Sequence, residues 1–373
     1  MIKLLHTGDI HLDSPFSGLD SRSAEIRRNE LRAAFTSMMT YARMNNADLI
    51  LIAGDVFDGD YVTRETLLLL CREFENFGKP VFIAPGNHDS ATPSSVWQKN
   101  IFPKNVFVFK DDEVSSVDLP ELNTTVYGFG FTSPHMTTVP LIGKSVADPT
   151  HINLLLCHCD MVGPKNGNTN CPVTPDHLDN FGADYSALGH VHNPPSPGHD
   201  GRWCYPGCLE PRAFDETGAK GACMVEISKK NSEASIAIKR VRFAKRRYER
   251  DELRLNDPRT QADVRAAVAD FISEKKYGED TLLSLKLTGY IPQSLVIDTE
   301  AIENSCTSLF MLRLEDATRP DIDLAALESD ITIKGEVYRN LKPSLTSSDE
   351  QTREIGLRAL RYAMSALAGD NTF

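Results

Sequence analysis

Thr7-Gly8-Asp9-Ile10-His11 follows directly on the apolar residues Ile2, Leu4 and Leu5. It places a carboxylate and an imidazole two positions apart at what reads as the end of a buried strand. Four later stretches repeat the arrangement. Gly54-Asp55-Val56-Phe57-Asp58 follows the apolar run Asp48 to Ala53, and Gly86-Asn87-His88-Asp89 follows Pro80 to Ala84. His158 closes Ile152 to Cys157, and Gly189-His190-Val191-His192 closes Tyr185 to Leu188. In open α/β sheets, functional groups gather beyond the carboxyl ends of strands. The chain therefore reads as a scaffold that brings five strand ends together around two metal ions.

Between the first three strands the periodicity changes to that of helices. From about Ser23 to Met44, apolar Ile26, Leu31, Ala34, Phe35, Met38 and Met39 are set against Arg27, Arg28 and Arg32, and Thr63 to Phe77 is helical again. Strand, helix, strand, helix, strand at this spacing implies parallel strands with crossover helices. The pattern then becomes β-rich, with strands expected at Val106–Phe109, Thr125–Phe131, Ile152–Cys157, Tyr185–Leu188, Trp203–Tyr205, Gly221–Ile227 and Ser235–Val241. This half is expected to form a second sheet packed on the first, giving an α/β sandwich of two sheets with outer helices. The Asn166 to Pro175 loop is rich in Gly, Asn and Pro, and Thr174 can cap a short helix with Pro175 at its first position.

At 373 residues the chain is long enough for two domains. The break is expected near Phe243 to Arg254, dividing residues 1–245 from a smaller α+β domain at 246–373. In the latter, a strand near Arg246 to Leu253 leads to a helix at Thr260–Lys275, a strand at Leu282–Thr288, a further helix–strand unit ending near Leu314, and two helices near Ile331–Leu341 and Ser348–Leu367. Hydrophobic content of 41% and charged content of 25% are those of a soluble globular protein, and no apolar run approaches a membrane span of about 18 residues. With no leader pattern at the N-terminus and eight cysteines without paired spacing, a cytoplasmic protein with reduced thiols is expected. A net charge of −12 argues against nonspecific coating of nucleic acid, yet it does not exclude a nuclease, because a metal site brings its own positive charge.

The ligand chemistry is mixed: carboxylates, imidazoles and one amide oxygen. It suits borderline dications such as Mn²⁺, Fe²⁺ or Zn²⁺ better than Ca²⁺ or Mg²⁺. The donors are too many for one ion and suit two. A pair of ions roughly 3.5–4 Å apart generates hydroxide and stabilises the charge of in-line phosphoester cleavage. Singly, each stretch is weak, since an isolated Asp-x-His arises by chance and a lone histidine is usually a hydrogen-bonded core residue. All five in this order, each on an apolar strand end, form a specific constellation. The glycines before the ligands, at 8, 54, 86 and 189, are read as permitting tight turns, and Asp9 and His11, like His190 and His192, as pointing to one side of an extended segment.

Asp9-x-His11, Gly54-Asp55-x-x-Asp58, Gly86-Asn87-His88-Asp89, His158 and Gly189-His190-x-His192 resemble the signature of calcineurin-like metallophosphoesterases, whose fold is a two-sheet αββα sandwich. Leu5 to Leu12, Asp184 to His190, Tyr205-Pro206-Gly207 and Phe214 to Gly221 are similar to one branch of them, the SbcD-type DNA repair nucleases with their YhaO-like members. The resemblance is specific through about residue 227. It implies one ion held by Asp9, His11 and His192, another by Asn87, His158 and His190, and Asp55 bridging both. His88 would face the scissile phosphate and stabilise or protonate the leaving oxygen, with Asp58 and Asp89 as supporting partners. It further implies a Mn²⁺-dependent phosphodiesterase acting on DNA as a 3′→5′ exonuclease and single-strand endonuclease, capped by its C-terminal domain. The implied partners are DNA, an SMC-type coiled-coil ATPase (SbcC-like) and a second copy of the chain in a homodimer, with no membrane.

Other readings stay open at this stage. The same chemistry could serve a nucleotide, a cyclic dinucleotide or a phosphoprotein, or the fold could be a non-catalytic scaffold for an ATPase. The chain itself has no Gly-x-x-x-x-Gly-Lys-Ser/Thr loop. Lys239 to Arg254, with eight Lys/Arg against three Asp/Glu, reads equally as a phosphate contact or as an edge strand guarded by charge. Cys157-His158-Cys159, with Cys171 beyond, could suggest a thiolate metal site, but Cys157 and Cys159 fall on the strand face opposite His158 and the cysteines read as buried free thiols. The stripe Gly356, Leu360, Ala363, Met364 and Leu367 reads as a helix packed on its own domain, with partner docking as the alternative.

Overall fold

The computed structural model describes residues 1–162, 170–194, 201–292, 295–321 and 324–368. The first part of the Asn166–Pro175 loop lies outside them. The chain forms two compact units, Met1–Arg247 and Tyr248–Phe373. No helix among the described residues is long and apolar enough to cross a membrane.

The N-terminal unit begins with β1 (Ile2–Thr7), α1 (Ser21–Met44), β2 (Leu49–Ile52), α2 (Arg64–Phe77), β3 (Val81–Ile83) and β4 (Val106–Val108). It continues with β5 (Ser115–Leu119), β6 (Thr124–Gly128), β7 (Ile152–His158), the short pair β8 (Asp160–Met161) and β9 (Pro172–Val173), α3 (Pro175–Phe181), β10 (Tyr185–Gly189), β11 (Trp203–Cys204), β12 (Gly221–Lys230) and β13 (Glu233–Arg242). One sheet has the order β13-β12-β1-β2-β3-β4 and the other β11-β10-β7-β6-β5. β1 to β4 run parallel, as do β6, β7, β10 and β11, so their carboxyl ends share an edge within each sheet.

Alternation along each strand builds three cores. Leu49 and Leu51 of β2 face Leu154 and Leu156 of β7 between the sheets. Ile50 and Ile52 point the other way, onto Phe35 and Met38 of α1 and Leu70 and Phe74 of α2. On the far side, Leu155 and Leu188 pack against Leu178 and Phe181 of α3. The result is the helix–sheet–sheet–helix sandwich of metallophosphoesterases. Helix starts follow local chemistry: Asp20 accepts from the backbone N–H groups of Arg22 and Ser23, and Thr174 caps α3 ahead of Pro175.

Three strands expected in the second sheet belong to the first. β4 extends it at one edge, while β12 pairs antiparallel with β1, Ile2 opposite Ile227, and carries β13 at the other. β5 was not expected, because Ser115-Ser116-Val117-Asp118-Leu119 is a largely exposed polar strand at the edge of its sheet. The buried face of α1 also differs from the expected stripe. Arg27, not Ile26, lies on it, in helical register with Leu31, Ala34 and Met38. The Arg27 guanidinium is fully buried and donates to Glu30 Oε2 and Glu210 Oε2, each at 2.7 Å.

The C-terminal unit comprises β14 (Arg247–Leu255), α4 (Gln261–Glu274), β15 (Thr281–Ile291), α5 (Thr299–Ser305), β16 (Met311–Asp316), β17 (Arg319–Pro320), α6 (Leu324–Ser329), α7 (Ile333–Leu345) and α8 (Glu350–Ala368). Its sheet has the order β14-β15-β16, with β17 also on β15. Val264, Val268 and Ile272 of α4 pack on Leu283, Leu285 and Leu287 of β15. Leu360 and Met364 of α8 are buried against Tyr338, Leu341 and Leu345 of α7 and Leu327 of α6, while Leu367 stays exposed. The inward part of the α8 stripe is thus spent on its own unit.

Candidate metal centre

The segment after β1 is braided onto the segment after β2. Asp9 N donates to Gly54 O at 3.0 Å, the N–H groups of Ile10 and His11 both donate to Asp55 O at 2.9 Å, and Leu12 N donates to Val56 O at 2.8 Å. Ile10 and Leu12 are buried, which anchors the loop from below. The expectation of extended segments is corrected here. Asp9 (φ 48°), His11 (φ 53°), Asp55 (φ 49°) and His190 (φ 106°) all adopt left-handed backbone conformations. Each costs on the order of 1–3 kcal/mol for a residue with a Cβ, and such conformations persist where surrounding bonds over-determine them. The preceding glycines therefore do less turning than expected. Only Gly54 has a positive φ, of 81°, and a Cβ there would lie 2.6 Å from His158 Nδ1. Gly86 is needed for space, since its Cβ would overlap the Asp55 carboxylate.

These loops bring all seven expected ligand residues together in two groups. In the first, His11 Nε2 lies 3.2 Å from His192 Nε2 and 3.7 Å from Asp55 Oδ2, and His192 Nε2 is 3.6 Å from Asp9 Oδ1. In the second, Asn87 Oδ1 lies 2.9 Å from His158 Nε2 and 3.2 Å from His190 Nδ1; those two nitrogens are themselves 3.2 Å apart. Asp55 Oδ2 is 3.4 Å from His158 Nε2, so one carboxylate oxygen reaches both groups.

Proton bookkeeping shows what the groups fit. His11 Nδ1 is 2.9 Å from Asp58 Oδ1, and His192 Nδ1 is 2.6 Å from Glu216 Oε1. Each Nδ1 is thereby a donor to a carboxylate, which leaves each Nε2 as the nitrogen that can turn a lone pair to an ion. His158 Nδ1 donates to Ala53 O at 2.9 Å and likewise turns a lone pair toward Asn87 and His190. Nitrogens gathered this closely, with their far sides already committed, are placed to share a cation. The donor set of imidazole nitrogens, carboxylates and an amide oxygen fits transition-metal dications.

Burial favours the neutral ring at His11 and His190, lowering each to about 4, whereas at His192 the pull of burial is outweighed by Glu216 and Asp9, which raise it. Burial raises Asp9 to about 6, against the pull of His192 and His158, whereas Asp55, also opposed by burial, is held below its usual value by His158, His11 and His88. A cation between them relieves the cost of these buried carboxylates.

The supporting acids differ from expectation. Asp89 does not partner His88. Its carboxylate accepts the backbone N–H groups of Gly86 (2.7 Å), Val56 (2.8 Å), Asp55 (3.2 Å) and Phe57 (3.4 Å), tying the segments after β2 and β3 together. Asp58 chiefly orients His11 and sits 3.5 Å from His88 Nδ1. The His88 side chain is 45% exposed and stands edge-on to His11, ring centroids 4.9 Å apart, while its backbone N–H donates to Asp55 Oδ1. It is at the mouth of the centre and not in either donor group. Glu216 and Arg212 also contact the centre, and nothing in their spacing marks them, although Glu216 lies within the run Phe214–Gly221.

Among the remaining expectations, Cys157, Cys159 and Cys171 are buried free thiols in the outer core of the second sheet. Within the basic stretch, β13 is an edge strand, and several cations are tied inward. Arg240 donates to the carbonyls of Pro206 (3.0 Å) and Tyr205 (2.9 Å), and Arg246 donates to Glu30 at 2.6 Å.

Residues 2–194 match the calcineurin-like phosphoesterase family, and the chain belongs to it. Members of that family depend on metal ions, and the clusters described above supply candidate ligands. The chain is 28% identical over 353 residues to the uncharacterized metallophosphoesterase YhaO of Bacillus subtilis (strain 168), covering 88% of this chain and 84% of that one. It is 27% identical over 309 residues to the DNA double-strand break repair protein Mre11 of Aeropyrum pernix, covering 73% and 71%. Among solved structures, TT1561 of Thermus thermophilus aligns with 63% of this chain and 98% of its own length at 10% identity and a TM-score of 0.36.

Proposed function

We propose that the protein is a two-metal phosphodiesterase that cleaves DNA in repair, as a Mn²⁺-dependent 3′→5′ exonuclease. The observation that carries the metal reading is the convergence of two groups of imidazole nitrogens, carboxylates and an amide oxygen, joined by Asp55 Oδ2. Asp9, His11 and His192 would hold one ion, Asn87, His158 and His190 the other, and the Asp55 carboxylate would offset the repulsion between them. When bound, such ions acidify a water and neutralise the charge that builds on the phosphoryl oxygens. His88 is outside both groups, partly exposed and beside His11, where an imidazole can meet a substrate phosphate and pass a proton to the leaving oxygen. The DNA reading is supported by the similarity to an Mre11 protein across 73% of the chain. An SMC-type ATPase partner and a homodimer belong to the same proposal.

The test is cleavage of end-labelled duplex and single-stranded DNA by the purified chain with Mn²⁺, beside a small chromogenic phosphodiester. Mononucleotide release from 3′ ends is expected. Turnover of the small ester with both DNAs left intact would transfer the proposal to a nucleotide or phosphoprotein substrate.

A further inference from the structure

The segment 210–220 returns to the centre and fixes His192 from behind. Glu216 is buried and its Oε1 accepts from His192 Nδ1 at 2.6 Å. Arg212 holds that carboxylate twice, through its backbone N–H to Oε2 at 2.6 Å and through Nη2 to Oε1 at 3.2 Å. The other arm of the same guanidinium, Nη1, donates to Asp58 Oδ1 at 2.7 Å, the oxygen that takes the proton of His11 Nδ1. Lys220 Nζ, also buried, donates to the backbone carbonyl of His192 at 2.8 Å. One cation thus spans the two carboxylates that stand behind the two imidazoles of one donor group. The second group is backed differently, for His158 leans on the neutral carbonyl of Ala53.

We propose that Glu216 and Arg212 are positioning residues that make the Asp9–His11–His192 group the tighter of the two metal sites. An anionic acceptor behind an imidazole fixes its tautomer and orientation and raises the basicity of the nitrogen that faces the metal. A neutral carbonyl does the first two but adds less to the third. Arg212 keeps both carboxylates in register, so the two rings of this group are set as a unit. The inference rests on the two-metal reading above.

The experiment is titration of the metal-free full chain with Mn²⁺ alone, followed by calorimetry and by the paramagnetic resonance of free Mn²⁺. Wild type is expected to take up two equivalents of unequal affinity. Glu216→Gln, which keeps the shape and a hydrogen-bond acceptor but removes the charge, is expected to weaken the tighter equivalent by about 10- to 100-fold and leave the looser within about twofold. In an Asn87→Ala background, where only the Asp9–His11–His192 group is complete, the same loss should appear. In a His192→Ala background Glu216→Gln should change nothing. Arg212→Ala should resemble Glu216→Gln, with partial recovery in Arg212→Lys. Melting of each metal-free variant separates these effects from loss of fold, and if Glu216→Gln is unfolded the Arg212 pair decides. Equal weakening of both equivalents, or none of either, overturns the inference and spares the two-metal reading. A wild-type chain that binds no Mn²⁺ overturns both.

Discussion

His11 Nε2 and His192 Nε2 face each other across 3.2 Å, and each ring has already committed its other nitrogen to a carboxylate, Asp58 and Glu216 respectively. With both Nδ1 atoms so committed, the two Nε2 atoms are the ones left to take an ion. Metal removal should therefore cost stability as well as activity. Adding Mn²⁺ to chelator-treated protein is expected to raise the melting temperature and to add about 2.7 kcal/mol of stability for each site at a free Mn²⁺ concentration 100 times its dissociation constant. Differential scanning calorimetry reads this directly, and a melting temperature indifferent to Mn²⁺ would contradict it.

Asp55 and His88 should separate binding from chemistry. Asp55→Ala removes the oxygen shared by both groups and is expected to abolish both Mn²⁺ uptake and turnover. His88→Ala leaves the two groups intact and is expected to retain metal while slowing turnover by about 10²- to 10⁴-fold, the usual worth of a positioned general acid. An unchanged rate in His88→Ala would remove its catalytic assignment and leave the metal assignment standing.

Gly86→Ala tests the crowding of the centre. The new methyl group would overlap the Asp55 carboxylate and cannot be relieved without moving Asp55 or the segment after β3. A destabilisation of about 1–3 kcal/mol is expected, as for overpacking elsewhere, together with weakened Mn²⁺ binding. Urea unfolding and metal titration on one sample measure both, and normal values for the two would show that the loop yields freely.

Arg27→Ala should be more damaging than any surface arginine change. It leaves Glu30 and Glu210 without their shared buried guanidinium, a loss on the order of 3–5 kcal/mol. Glu210 leads into the segment that carries Arg212 and Glu216, and Arg27 Nη2 also donates to Pro211 O at 2.8 Å. Thermal unfolding would show the effect, and a shift as small as that of an exposed arginine would refute it.

His6 supplies a pH dependence. Burial lowers it from 6.5 to about 3, and its Nδ1 lies 2.8 Å from the Tyr185 hydroxyl between the sheets. The unfolded chain takes up a proton at His6 below pH 6.5, while the folded chain resists until about 3. Its contribution is therefore fully present above pH 6.5 and is lost as the pH falls from there toward 3. Stability should decline less steeply over that window in His6→Gln than in wild type. Parallel slopes in denaturant titrations at several pH values would rule this out.

Much of the centre is legible in the sequence because each ligand stretch ends its own apolar strand. Strand direction then does the long-range work, carrying five separate stretches to one edge. Partnership across the sheet is a different matter. Gly221 to Lys230 reads as a strand, but its pairing with β1 joins residues such as Ile2 and Ile227, which no local pattern connects. The same limit hides Glu216, whose contact with His192 depends on the path of the intervening chain, and Arg27, whose position is on the apolar stripe of α1 but whose charge looks solvent-facing until Glu210 arrives beside it. Left-handed conformations at Asp9, His11 and Asp55 were illegible for another reason. They are held by the hydrogen bonds between two loops, and although Asp and His tolerate such conformations better than most residues, tolerance alone does not say where they occur.

That braid between the segments after β1 and β2 also decides what a metal ion has left to do. With Asp9, His11 and Asp55 locked by backbone bonds, the ligands are preorganised, and little conformational entropy remains to be lost when an ion arrives. Metal capture is thus more an act of insertion than of folding: the ordering cost has been met by the polypeptide in advance.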